Sequence, residues 1–319
     1  MPYSLGGVDL SQGYDIIGDV HGRADQLERL LGILGYQHTS AAFTHPEDRK
    51  VIFIGDMIDR GPQEAQTLRI IRDMVDADTA HAIMGNHEFN AICYATRNAN
   101  GDYIRPHSSK NRHQHEAFLH EFPLGSAQHA DAIAWMSTLP VYLDLGPLRV
   151  VHACWNDDYI TTLAPHLDHG NRINTGILNA YDRRIEPVYT ALEETLKGPV
   201  VKLPDGITFQ DTMGHDRDEA RLQWWADVNK PLADIADPRV ANIPAQHHGK
   251  IRQAIALRNV FNAASKPTFI GHYSLSQPLR LLSDTIVGVD YRKHLTAYRW
   301  DDGEPLSAAR LVSIPAYRP

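Results

Sequence analysis

Lys50–Pro62 reads KVIFIGDMIDRGP. Val51 to Ile54 is a short apolar run with β-branched residues, the pattern of a buried strand, and it breaks at Gly55. Two aspartates, an arginine, a glycine and a proline follow, so a polar turn sits at the strand's carboxyl end. Open α/β sheets place their ligands at that edge. Two similar units flank this one: Tyr14–Gly22, YDIIGDVHG, before it and Ala80–Glu88, AHAIMGNHE, after it. Together the three tips offer Asp19, His21, Asp56, Asp59, Arg60, Asn86 and His87.

The segments between the tips read as helices. Leu27, Leu30, Leu31 and Leu34 recur at helical spacing over Arg23 to Leu34, which ends at Gly35. Pro62 opens a second helix that runs to about Val75 and turns Leu68, Ile71 and Val75 inward. A β-α-β-α-β order implies parallel strands with right-handed crossovers, which puts all three tips on one edge of one sheet.

Beyond His87 a polar, helical stretch to about Pro123 carries His107, His113, His115 and His120. Their spacing does not place three on one helix face, so the stretch reads as solvated or lid-like. A helix over Ala127 to Leu139 precedes a hairpin, Val141 to Val151, whose second strand ends at His152. From about Asn156 to Ser265 apolar alternation fades, charge rises and prolines recur. This segment reads as a mostly helical insertion, with helices near Ala180 to Lys197 and His248 to Ala263. Pro267 to Ile270 then forms a strand tipped by His272, and Thr285–Val289, Leu295–Trp300 and Arg310–Ile314 read as antiparallel strands. The expected organisation is a single α/β domain over 1–319, with a core of 12–155 and 266–319 and a helical insertion over 156–265.

Composition narrows the function classes. Of 319 residues 43% are hydrophobic and 22% charged, ordinary for a globular protein. A net charge of -8 argues against nucleic-acid binding through bulk electrostatics. No run approaches the roughly 18 apolar residues that span a bilayer. The amino terminus lacks a basic segment followed by an apolar one. Cys93 and Cys154 form neither a metal-type pair nor a disulfide framework. The expectation is a cytoplasmic protein with reduced thiols, no membrane partner and no nucleic-acid partner.

Five tips carry the chemistry: Asp19 with His21, Asp56, Asn86 with His87, His152, and His272. Carboxylates mixed with imidazoles and one amide suit first-row divalent ions. The set is too large for one tetrahedral ion and about large enough for two, with Asp56, on the central strand, as the natural bridge. Two ions roughly 3.5–4 Å apart clamp a phosphoryl group and turn a bound water into a hydroxide nucleophile. His87, pointing to the other side of its turn from Asn86, suits a general acid toward the leaving oxygen. Asp59 can fix its tautomer, and Arg60 offers a planar fork to phosphate oxygens. Taken singly, Asp19 or Asp56 would be a helix cap, His152 a satisfied histidine and Arg60 a surface ion pair. Convergence of all five tips is what favours a site.

Gly18–Gly22 (GDVHG), Gly55–Gly61 (GDMIDRG) and Gly85–Glu88 (GNHE) resemble the three signature blocks of the calcineurin-like metallophosphoesterases, in the form found in the phosphoprotein phosphatase branch. The resemblance implies a two-sheet mixed β-sandwich flanked by helices. It implies a first metal on Asp19, His21 and Asp56 and a second on Asp56, Asn86, His152 and His272. It makes His87 with Asp59 the acid pair and Arg60 a phosphate contact. His152 lies in VVHACW where the family often has V-H-A-G, and Gly271–Ser274 reads GHYS where bacterial relatives usually have G-H-T-P. Val287–Tyr298 resembles the bacterial tail that follows, so the likeness covers about 12–152 and 266–315.

Two divalent cations are thus expected, manganese first, with iron, zinc, nickel or magnesium as alternatives. Relatives often hold phosphate with a second arginine, for which Arg217 and Arg221 are candidates. Trp224–Asp227 is similar to a tryptophan-serine-aspartate segment of protein phosphatases, or else packs the insertion onto the core. His215 is a rival to His272, which is preferred because a strand precedes it. The expected activity is hydrolysis of phosphate monoesters, as by a serine/threonine protein phosphatase. The alternatives are a diadenosine-tetraphosphate-type nucleotide hydrolase, an end-processing phosphatase similar to the bacterial polynucleotide repair enzyme, and, from another class, a catalytically silent binding scaffold. The partner is a phosphoprotein or a nucleotide.

Overall fold

A computed structural model describes residues 13–203, 206–210, 216–227, 229–237 and 265–315. The chain starts with β1 (Tyr14–Ile17) and α1 (Ala24–Leu34), a small hairpin of β2 (Gln37–His38) and β3 (Phe43–Thr44), then β4 (Lys50–Phe53), α2 (Glu64–Asp76) and β5 (Ala80–Ala82). β1, β4 and β5 lie side by side and parallel. Period-two alternation divides their side chains. Ile17, Val51 and Phe53 face one way and cluster with the Leu27, Leu31 and Leu34 stripe of α1 and with Leu68, Ile71 and Met74 of α2. Ile16, Ile52 and Ile54 face the other way. Gly35 ends α1 at φ 100°, a left-handed conformation that favours glycine. α2 begins at Glu64, two residues later than Pro62 suggested.

Three helices, α3 (Asn86–Ala95), α4 (Ser109–Gln114) and α5 (Glu116–Glu121), replace the continuous stretch expected after His87. The break is local chemistry. Asn98 Oδ1 accepts from the backbone N–H of Asn100 (3.0 Å) and Asp102 (3.1 Å), closing a turn that competes with the helix. After α6 (Ala127–Met136), a hairpin pairs β6 (Tyr142–Asp144) with β7 (Arg149–Val151).

Among the described residues after Asn156, short strands follow the helices, which the expectation of a mostly helical segment did not include. α7 (Asp157–Leu163), α8 (Thr175–Asp182) and α9 (Val188–Lys197) pack Leu163, Ile177, Leu192 and Leu196 into the same cluster as α1 and α2. The helix expected over Ala180–Lys197 is interrupted, and Pro187 is the N-cap of α9. The chain then turns to strands: β8 (Val200–Lys202), β9 (Phe209–Gln210), β10 (Asp216–Arg217), β11 (Glu219–Leu222) and, after the short α10 (Leu232–Ile235), β12 (Ala236–Asp237). β12, β11 and β8 form a small sheet over its own cluster of Val201, Leu203, Leu222 and Ile235. The helix expected near His248 to Ala263 and the rival ligand His215 lie outside the described residues.

β13 (Thr268–Ile270) and β14 (Ile286–Gly288) join the hairpin in a second sheet ordered β14-β13-β7-β6. β14 runs parallel to β13 in this second sheet, so it does not pair antiparallel with the strand at Leu295–Trp300 as expected; the connection through 271–285 carries the chain back before it re-enters beside β13. The chain then crosses to the first sheet as β15 (Asp290–Tyr291), β16 (His294–Trp300) and β17 (Leu311–Pro315), with β16 antiparallel to β1. Ile16, Ile52 and Ile54 meet Val150, Phe269 and Val287 between the sheets. The fold is a two-sheet mixed sandwich flanked by helices. Each fully buried Leu, Ile or Phe at these faces contributes roughly 1.5–3 kcal/mol. Among the described residues no helix is long and apolar enough to cross a membrane.

Candidate functional site

β1, β4, β5, β7 and β13 all point their carboxyl ends at one rim, and each delivers side chains there. The backbone turns sharply to do so: φ is positive at His21 (50°), Asp56 (50°), Asp59 (68°), Arg60 (73°) and His272 (63°). Such conformations in non-glycine residues are costly and persist only where the surroundings enforce them. The three tips of β1, β4 and β5 also touch through glycines. A Cβ on Gly55 would lie 2.4 Å from Gly85 N, and one on Gly61 would lie 2.1 Å from His21 O.

Glu88 holds this arrangement together. Fully buried, its carboxylate accepts from Gly85 N (2.9 Å) and Asp56 N (2.8 Å) through Oε2, and from Met57 N (2.8 Å) and Ile58 N (3.3 Å) through Oε1. Glu64 does the same for Asp59, accepting from its N–H at 2.9 Å. Neither glutamate was assigned a role from the sequence. For Glu88 the glycine-to-glutamate capping spacing of GNHE was the available signal.

The sequence-derived candidates converge on Asp56. His152 Nε2 is 3.3 Å from Asp56 Oδ1 and 3.2 Å from Asn86 Oδ1. His21 Nε2 is 3.9 Å from both Asp19 Oδ2 and Asp56 Oδ2. His272 donates its backbone N–H to Asp19 Oδ1 at 3.3 Å. Ligand atoms of His21, Asp56 and His87 lie within 4.8 Å of one another, and so do those of Asp56, His152 and His272, so Asp56 belongs to both groups.

Hydrogen bonds on the far side of the rings fix what faces inward. His21 Nδ1 bonds Ile58 O at 2.9 Å and His152 Nδ1 bonds Ile54 O at 2.7 Å, so in the neutral ring each Nδ1 carries the proton and each Nε2 presents a lone pair. The Nε2 atoms of His21 and His272 are buried without a hydrogen-bond partner. Lone pairs converging on carboxylate oxygens call for a cation between them, and these donors fit a divalent ion. Without a cation there, a proton takes its place at His152. Burial opposes charge on His152, yet Asp56 beside it pushes the imidazole up to about 10. Asp56 itself is held well below its usual range, against burial, by His152 and His87. Burial, then Asp290 and Asp56, raise Asp19. Burial, then Arg60 and His87, keep His21 well below its ordinary value and so neutral.

His87 stands beside the carboxylates with its other face committed. Nδ1 lies 2.6 Å from Asp59 Oδ2, while Nε2 is 3.7 Å from Asp56 Oδ2 and 3.3 Å from Arg60 Nη2. A cavity of about 1380 Å³ opens over this rim. Arg217 of β10 and Arg221 of β11 both border it, as do Arg105 and Lys110, which the sequence did not single out. Arg221 also stands 4.0 Å from Asp237. Trp224 is buried and donates Nε1–H to Ala153 O at 2.9 Å, and Trp225 packs edge-on against Tyr273. The two indoles therefore dock the later segment onto the core.

A sequence profile of the calcineurin-like phosphoesterase family matches residues 14–272. The asymmetrical bis(5'-nucleosyl)-tetraphosphatase PrpE of Halalkalibacterium halodurans is 43% identical over 74 residues, 23% of this chain and 30% of that protein. PrpE of Oceanobacillus iheyensis is 42% identical over 73 residues, 23% of this chain and 29% of its own length. The matched segment thus spans under a third of these relatives. A protein serine/threonine phosphatase structure from Saccharomyces cerevisiae aligns over 97% of this chain and 81% of its own, at 14% identity and a TM-score of 0.49.

Proposed function

The chain belongs to the calcineurin-like phosphoesterases, and from that premise we propose that it is a metal-dependent phosphoric ester hydrolase that cleaves a nucleotide bearing several phosphates, of the bis(5'-nucleosyl)-tetraphosphate class. One observation carries the substrate class. The cavity of about 1380 Å³ is lined by Asp56, Asn86, His87 and His272 and also by the cations Arg105, Lys110, Lys197, Arg217 and Arg221. A single phosphoryl group needs only the rim and Arg60. A polyphosphate chain has anionic oxygens for the further cations, and fork-shaped guanidinium groups bind such oxygens two at a time. The segment shared with proteins named as tetraphosphatases points the same way.

Asp19, His21 and Asp56 would hold one divalent ion, and Asp56, Asn86, His152 and His272 a second, with manganese the proposed native metal. Bound there, such ions supply Lewis acidity to the phosphoryl group and activate water. The chain's own groups do the rest. Arg60 binds phosphate oxygens and orients the phosphorus. Asp59 fixes His87 with the proton on Nδ1 toward the carboxylate and Nε2 toward the cavity. Burial works against charge on His87, but Asp56 and Asp59 raise it above its ordinary value. A proton is therefore available near neutral pH for the oxygen that departs.

The test is a comparison of para-nitrophenyl phosphate, bis-para-nitrophenyl phosphate and diadenosine tetraphosphate with manganese-loaded protein. A far higher kcat/KM for the dinucleotide supports the reading. A preference for the monoester would move the assignment to a phosphomonoesterase of the protein-phosphatase kind, the activity that the signature blocks first suggest.

A further inference from the structure

Asp59 has two carboxylate oxygens, and His87 takes one. The other belongs to His115, whose Nδ1 lies 2.8 Å from Asp59 Oδ1. A carboxylate only accepts, so both imidazoles donate from Nδ1, and Asp59 sits clamped between two rings. We propose that His115 is a positioning residue for the reaction: it locks the rotation of the Asp59 carboxylate and, through it, the placement and tautomer of His87. The inference rests on the reading of His87 as the proton donor.

Three observations carry it. The first is orientation. His115 stands at the junction of α4 and α5, where its ring stacks on Phe118 (centroids 4.8 Å apart, planes at 18°) and meets the edge of Tyr94 at 5.3 Å. Phe118 is fully buried, and Tyr94 lies on α3, the helix that carries His87. Packing thus aims the Nδ1–H before any substrate arrives. The second is economy of contacts. His115 is 5% exposed and its Nε2 has no hydrogen-bond partner, so the bond to Asp59 is the one polar contact that explains a histidine at this depth. The third is what Asp59 would lack. Its backbone is in the left-handed region (φ 68°) with the N–H held by Glu64, so only the side chain is left to be fixed. Without His115, Oδ1 would be buried and unpaired, and the carboxylate could turn away from its line to His87. The hydrogen bonds from His115 and His87 also overcome burial and keep Asp59 below its usual range.

The experiment compares kcat and KM of manganese-loaded wild type, His115→Phe, His115→Asn, His87→Asn and the double variant His115→Phe/His87→Asn. The substrates are phenyl phosphate, whose leaving group needs a proton, and para-nitrophenyl phosphate, whose leaving group does not. Phenylalanine keeps the stacking and removes the donor, while asparagine restores an N–H near the Nδ1 position. The expectation for His115→Phe is a loss of about ten- to hundredfold in kcat on phenyl phosphate, a smaller loss on the activated ester and an unchanged KM. His115→Asn should recover most of it, and His115→Phe should add nothing in the His87→Asn background. Unchanged kcat, equal losses on both esters, no recovery by asparagine, or additive losses would each overturn the role. If His87→Asn spares phenyl phosphate, the donor reading itself fails and this inference with it. If His87→Asn is selective and His115→Phe is not, only the inference fails. Bound manganese and the melting temperature, measured on every variant, identify a His115→Phe protein that misfolds, and His115→Asn then carries the comparison.

Discussion

His152 Nε2 sits 3.3 Å from Asp56 Oδ1, with the histidine wholly buried and the aspartate 2% exposed. An acceptor nitrogen facing an acceptor oxygen in a dry place repels unless positive charge lies between them. In metal-stripped protein a proton must serve. Restoring manganese should therefore raise the melting temperature, with a stabilisation of about 2.7 kcal/mol once the free ion reaches a hundred times its dissociation constant. A melting temperature indifferent to chelation and to added manganese would contradict this.

Arg221 separates the two substrate readings. It borders the cavity and is only loosely paired, 4.0 Å from Asp237. Arg221→Ala should raise KM for diadenosine tetraphosphate about tenfold or more, the worth of one charge-assisted contact, and leave para-nitrophenyl phosphate nearly unaffected. Equal effects on both would place Arg221 at the reacting phosphoryl group instead.

Glu64 gives a pH signature. Burial, then Asp59, push its carboxyl up to about 9 from an ordinary 4.5. Over that window the unfolded chain has released the proton that the folded chain keeps, so this group's contribution to stability falls as pH rises. Glu64→Gln cannot ionise. Relative to wild type it should gain up to about 1.4 kcal/mol per pH unit across the window, as read from urea unfolding. A difference that does not vary with pH would show that Glu64 is ionised in the folded protein.

Glu88 accepts four backbone N–H groups from two tips. Glu88→Ala leaves them buried and unpaired, at about 1–3 kcal/mol each before relaxation. Unfolding should show a loss of at least about 3 kcal/mol, together with weaker manganese binding, because Asp56 and Asn86 lose their common brace. Loss of stability with intact metal affinity would limit Glu88 to a structural role.

The three tip motifs could be read from sequence because each packs strand, turn and donor into under ten residues. The ordinary rules of strand and turn then place Asp19, His21, Asp56, Asn86 and His87 together. His152 and His272 could be found because each follows an apolar strand. His115 could not: Asp59, which it serves, is 56 residues away, and among four histidines of one polar stretch nothing local marks it. Arg105 and Lys110 were hidden for the same reason. The strands over 200–237 escaped notice because they are two to four residues long and carry charges such as Glu219 and Arg221. Which sheet β14 joins depended on how 271–285 returns, which no periodicity encodes.

The account stands on Asp56 as the carboxylate shared by two ions. Manganese titration of the metal-stripped protein, with bound metal counted in wild type and in Asp56→Asn, tests that most directly. The account predicts two ions per chain for wild type, and for Asp56→Asn weakened binding of both together with loss of turnover. One ion at saturation in wild type, or two ions bound with unchanged affinity by an active Asp56→Asn, would contradict it.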